Sequence, residues 1–112
     1  MREEFLANVI ASSVRGINYW AEITEYRYTG SLLTNICIRD VIDEAKPTYR
    51  VNTKTIEKGV EKIRQSALNM DEATLTTILV SDTKNDFSTL QKEHADLIVQ
   101  AGVFGELKYT LV

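Results

Sequence analysis

The chain holds one cysteine, one histidine and one proline among its 112 residues. The single thiol, Cys37, excludes an intramolecular disulfide framework and any cysteine-rich zinc site, and it fits a reducing cytosol. With His94 as the lone imidazole, a metal centre would have to draw its other ligands from elsewhere in the chain. One proline, with 26% charged and 44% hydrophobic residues, describes an ordinary globular composition and excludes a disordered one. Long hydrophobic runs are missing: no stretch approaches the roughly 18 apolar residues of a membrane span. Met1-Arg2-Glu3-Glu4-Phe5 carries charges of both signs where a signal peptide has an apolar run. A soluble protein of the cytoplasm is therefore expected. Phosphate loop, dinucleotide glycine pattern and serine nucleophile motif are absent. So is a surplus of positive charge. The net charge of −3 argues against a general nucleic-acid binder, which needs a basic surface to displace counterions. It is too small for a DNA mimic.

What is present is hydrophobic periodicity without linkers, repeats or low-complexity tracts, so residues 1–112 are expected to form one domain. Phe5, Leu6, Val9, Ile10 and Ser13 recur with a helical period over residues 3–13, and Gly16 is expected to stop that helix. Asn18 to Tyr28 alternates as a strand rich in β-branched and aromatic residues. After the turn signal Thr29-Gly30-Ser31, Leu33 to Ile42 reads as a second strand, antiparallel to the first. Thr48 to Val51 supplies a short third. Asn52 and Thr53 are cap candidates for a helix with Ile56, Val60, Ile63 and Ala67 on one stripe. Gly59 inside it suggests close approach of another element. Asp71 is placed to cap a helix through Val80, although the β-branched residues of 74–80 leave a strand as the alternative. Ser81 to Ser88 reads as a loop, Thr89 as the cap of a helix through Ala101, and Phe104 to Leu111 as a closing strand.

These elements predict an α+β fold: a small, mainly antiparallel sheet of three or four strands with two to four helices packed on one face. Strict alternation puts Trp20, Tyr26 and Tyr28 on the other face. They are the candidates for a protein interface, because tryptophan and tyrosine carry much of the energy at protein contacts. Such a face also invites self-association.

One segment is dense in structural signal. Ala95 to Glu106 reads as the last turns of an amphipathic helix, a glycine stop and a tight turn, with Gly102 and Gly105 flanking Val103 and Phe104. Set beside Gly16-Ile17-Asn18-Tyr19-Trp20, Ile38-Arg39-Asp40 and the helix opening at Thr53, it makes the chain resemble a group of small proteins encoded by bacteriophages, prophages and mobile elements. A G-x-x-Y-W start and an A-D-x-I-V-Q-x-x-x-F-G-E end bracket that group. The resemblance covers about residues 8 to 109; its C-terminal pattern is the more specific part and its middle is loose. The chain departs from it at Tyr109-Thr110-Leu111-Val112, where members commonly stop just after an aromatic residue and a glycine. The resemblance implies an origin in a phage or mobile element, acting in a bacterial cytoplasm, and implies no mechanism. Gly16, Gly102, Phe104 and Gly105 are its structural residues.

Little in the chain points to catalysis. His94 and Asp96 lie two residues apart on the predicted last helix, so they do not share a face. Cys37 is expected to be a small buried hydrophobe. Asp40, Asp43 and Glu44, and again Asp82, Asn85 and Asp86, read as solvated loop groups without calcium-loop spacing. No catalytic residue, metal or cofactor is expected. The sequence favours a non-enzymatic module that binds a protein of the bacterial host or of the phage, one version being an inhibitor of a host defence system. The alternative is a nucleic-acid-associated protein using Arg27 among the strand aromatics as a local patch.

Overall fold

The structure is a computed structural model that describes residues 1–110. It runs α1 (Arg2–Gly16), β1 (Ala21–Thr29), β2 (Leu32–Asp40), β3 (Thr48–Asn52), α2 (Thr53–Ser66), a 3-10 turn (Ala67–Asn69), α3 (Glu72–Lys84) and α4 (Lys92–Phe104). The sheet is antiparallel in the order β1-β2-β3, so among the described residues β1 and β3 are edge strands. This is a small α+β fold. Helices α1 and α4 pack together with α2, and α1 lies against β2. No helix among the described residues is long and apolar enough to cross a membrane.

Local chemistry explains most boundaries. Phe5, Leu6, Val9, Ile10 and Ser13 form the buried stripe of α1. Asn52 accepts from the Thr55 N–H at 3.1 Å while Thr55 Oγ1 accepts from the Asn52 N–H at 3.2 Å, a reciprocal cap that starts α2. Asp71 Oδ1 accepts from the Thr74 N–H at 2.7 Å, and residues 74–80 are accordingly helical. The helix continues through the expected loop at Ser81 and stops at Asn85, whose φ of 51° is left-handed. Thr89 does not cap α4. Its N-cap is Gln91, whose N–H donates to His94 Nδ1 at 2.9 Å.

The glycines act mainly through close approach. A Cβ on Gly59 would press into the backbone carbonyl of Ile98, and one on Gly102 into that of Thr55, so α2 and α4 meet backbone to backbone at two reciprocal points. Gly102 therefore lies inside α4 and is not its stop. The stop is Gly105, at φ 72°. Gly16 is the last residue of α1, which continues right-handed into Ile17; its missing Cβ makes room for the Lys92 carbonyl.

The expected closing strand does not form among the described residues. Phe104 is the last residue of α4, and residues 107–110 run as irregular chain; Leu111 lies outside the described residues. The Gln100 side chain takes the place of a neighbouring strand. Its Oε1 accepts from the Tyr109 N–H at 2.8 Å, and its Nε2 donates to the Tyr109 carbonyl at 3.1 Å. The Gln100 amide thus holds both backbone polar groups of Tyr109.

Candidate functional site

The residues of the two bracketing motifs converge. Trp20 sits in the turn between α1 and β1, where the Trp20 and Ala21 N–H groups both donate to the Ile17 carbonyl. That turn points the indole into the core, where Trp20 is fully buried. The sequence expectation of an exposed Trp20 on the sheet face is therefore corrected. Its Nε1 donates to Asp96 Oδ1 at 2.8 Å, the Tyr19 hydroxyl donates to Asp96 Oδ2 at 2.6 Å, and Gln100 Nε2 donates to Asp96 Oδ1 at 3.0 Å. Around them Trp20 stacks on Tyr109 and tilts against Phe104 at centroid separations of 5.3 and 5.4 Å, and Tyr49 meets Phe104 edge-on.

Asp96, Asp40 and Asp82 are buried and partnered, so the last two are not the solvated loop groups expected, whereas Glu44 and Asp86 are exposed as expected. Burial raises the pKa of Asp96, outweighing the opposing hydrogen bonds from Tyr19, Gln100 and Trp20. Burial and the Asp96 carboxylate together push the Tyr19 phenol up. At Asp40 burial again pulls upward. Here the Tyr109 hydroxyl at 2.6 Å, the N–H groups of Asp43 and Ile42 and the charge of Lys108 outweigh it, holding the carboxyl below the ordinary range. Asp82 accepts from both Arg2 and Arg64 and ties α1 and α2 to α3. No buried side-chain donor or acceptor lacks a partner among the described residues. A fully satisfied polar network rigidifies a core; this one closes the terminal segment over the aromatic cluster.

Tyr26 and Tyr28 are exposed, at 50% and 63%, but not on the face that alternation assigns them. Ile23 faces Ile38 and Glu25 faces Cys37, so Thr24 is an extra residue, a bulge that inverts the alternation beyond it. Tyr26 then faces Ile36, and a second irregularity that skips Thr34 brings Tyr28 opposite Leu33; both partners are buried under the helical layer, and cross-strand partners share a face. The tyrosines therefore stand on the helix side, beyond the cover of α1. With Ala7, Ala11, Val14 and Leu33 they line a groove of about 340 Å³. A second groove of about 580 Å³ runs from α1 to Phe87 and the start of α4. Asn8, Ala11 and Arg15 border both grooves, so the exposed ridge of α1 stands between them. This ridge went unread in the sequence. Its only signal is Asn8, Ala11, Ser12 and Arg15 at helical spacing opposite the apolar stripe, which reads as an ordinary solvated face.

The open face of the sheet is polar. Arg39 pairs with Glu22; Glu25 is shared by Arg27 and Arg50; Arg50 also donates to Asn35. Cys37 sits among these residues, partly exposed, and is not the buried hydrophobe expected. The structure does not bring His94 and Cys37 together: one caps α4 and the other lies on the open sheet face. No group of three or more His, Cys, Asp or Glu among the described residues is arranged to hold a metal ion. No family model matches this chain, and no curated protein or solved structure does so either.

Proposed function

We propose that this chain is a non-enzymatic interaction module that binds a protein partner through the groove of Tyr26 and Tyr28. One observation carries the proposal. Two half-exposed or more exposed tyrosines are held on the helix side of an edge strand, over an apolar floor that α1 leaves open. Rigid aromatic rings with a polar tip anchor protein contacts at low entropic cost. The resemblance to phage and mobile-element proteins supports a partner from the bacterial host or the phage, met in the host cytoplasm, and an inhibitor of a host defence system is the specific version it favours. The nucleic-acid alternative has weaker support, because Arg27, Arg39 and Arg50 are each engaged by a glutamate of the same face.

The test is capture from a nuclease-treated bacterial lysate by the wild-type chain and by the double variant Tyr26→Ala, Tyr28→Ala. The wild type should retain one stoichiometric protein. The double variant should lose it by tenfold or more, on the order of one hot-spot residue, while melting close to the wild type. Equal capture by the variant would overturn the groove as the contact. Recovery of nucleic acid, or of proteins that vanish on nuclease treatment, would replace this proposal with the nucleic-acid one.

A further inference from the structure

Among the described residues strand β1 has a neighbour on one side only, and its sequence is complementary to itself. We propose that a second copy of this chain completes the β1 edge, the two β1 strands pairing antiparallel about a two-fold axis at Tyr26. The inference rests on the tyrosine side being a contact surface and names its first occupant.

The register follows from charge. Glu25 and Arg27 flank Tyr26 and project from the open sheet face, where they pair with each other at 3.2 Å. In an antiparallel pair centred on Tyr26, Glu25 of each copy stands opposite Arg27 of the other. Both cross-strand pairs are then of opposite sign, the arrangement that stabilises facing strands. They extend a face already laced by Arg39–Glu22 and Arg50–Glu25. A register shifted by two residues loses both matches, and one shifted by a single residue turns the tyrosines to the wrong face.

The helical layer fits the same arrangement. A two-fold axis normal to the sheet keeps the helices of both copies on one side. Because α1 lies against β2 and not β1, two β1 strands separate the helices of the two copies. At about 4.8 Å per strand the β2 strands of the two copies lie about 14 Å apart, wider than the 8–10 Å of directly packed helices. Tyr26 and Tyr28 of both copies stand in that trough. The uncovered groove of one chain thereby becomes the floor of a shared one, and the foreign partner meets a two-fold surface.

Sedimentation velocity over a micromolar-to-millimolar dilution series tests the register with two single variants, Glu25→Arg and Arg27→Glu. The wild type should dimerise. Each variant alone places like charges opposite each other twice, and its self-association should weaken about tenfold or more. An equal mixture of the two variants restores opposite charges at both positions and should associate as the wild type does. Should either variant fail to fold, Tyr26→Cys in a Cys37→Ser background gives the same answer. Facing residues in an antiparallel pair lie about 4.5–5.5 Å apart at Cα, within disulfide reach, so mild oxidation should link two chains at position 26 and not at position 28. A monomeric wild type, variants that dimerise undiminished, or a mixture that stays monomeric would each overturn the proposal. The wild type carries Tyr26 and Tyr28 whatever its oligomeric state, so capture of a foreign protein by a wild type that stays monomeric would leave the interaction-module proposal standing while this one falls.

Discussion

Asp96 is a buried carboxylate held by three neutral donors, from Tyr19, Trp20 and Gln100. Replacing it by alanine would leave those donors buried without an acceptor, at about 1–3 kcal/mol each where no water reaches them. Asp96→Ala should therefore lose on the order of 3 kcal/mol or more in denaturant unfolding, and Asp96→Asn, which keeps an acceptor for Trp20 and Gln100, clearly less. Equal losses would show that the hydrogen bonds do not set the value of this site. Asp40 behaves with the opposite sign of shift. Its pKa is held below the ordinary 3.8, so its contribution is present above that pH and is lost as pH falls through the depressed value. Tyr109→Phe should thus cost about 2 kcal/mol at neutral pH, and the gap to the wild type should close below pH 4 in acid unfolding. At this scale the sequence was legible in residue type and not in partnership. Tyr19-Trp20 and Asp96-Gln100 stand out as motif residues, but the bond from Trp20 to Asp96 spans 76 positions. Nothing local says that the indole turns inward at the Ile17–Trp20 turn.

Elements were read well where a side chain marks their start. Asn52 and Asp71 cap α2 and α3 as their positions in the sequence suggest. Two features escaped because their cause is tertiary. The Thr24 bulge, which moves Tyr26 and Tyr28 to the helix side, leaves no mark in an alternating strand. Among the described residues the expected last strand does not form, and Gln100 supplies Tyr109 with the hydrogen bonds that a strand would. Gly59 did signal close approach, and the contact with α4 makes it testable. On propensity alone Gly59→Ala and Gly102→Ala should each gain about 1 kcal/mol. Both new Cβ atoms meet backbone carbonyls instead, so each variant should lose about 1–3 kcal/mol by thermal melting. The cap of α4 adds a pH dependence. Burial, only partly offset by Glu93 and Asp71, lowers the His94 pKa from 6.5. A base with a depressed pKa adds stability that is present above pH 6.5 and lost as pH falls through the lowered value. His94→Gln should flatten the loss of stability of the wild type between pH 7 and 5. Asp96 works in the opposite direction and is common to both proteins, so the difference between them isolates His94.

The whole molecule divides into a closed end and an open one. The aromatic and carboxylate cluster under the terminal segment is satisfied and buried, and this is where the motif residues assemble. The other end leaves two tyrosines over a groove beside an edge strand. Sequence composition correctly predicted one sheet with helices and placed aromatics on β1, but could not tell the core tryptophan from the exposed tyrosines. The most direct test of the open end as the contact surface is photo-crosslinking in bacterial cells, with a photoreactive phenylalanine analogue at position 28 or, for comparison, at Thr48 on the open face. Position 28 should yield an adduct containing a foreign protein, while position 48 yields none. Adducts of equal yield at both positions, or at position 48 alone, would contradict the tyrosine groove as the working surface of this protein.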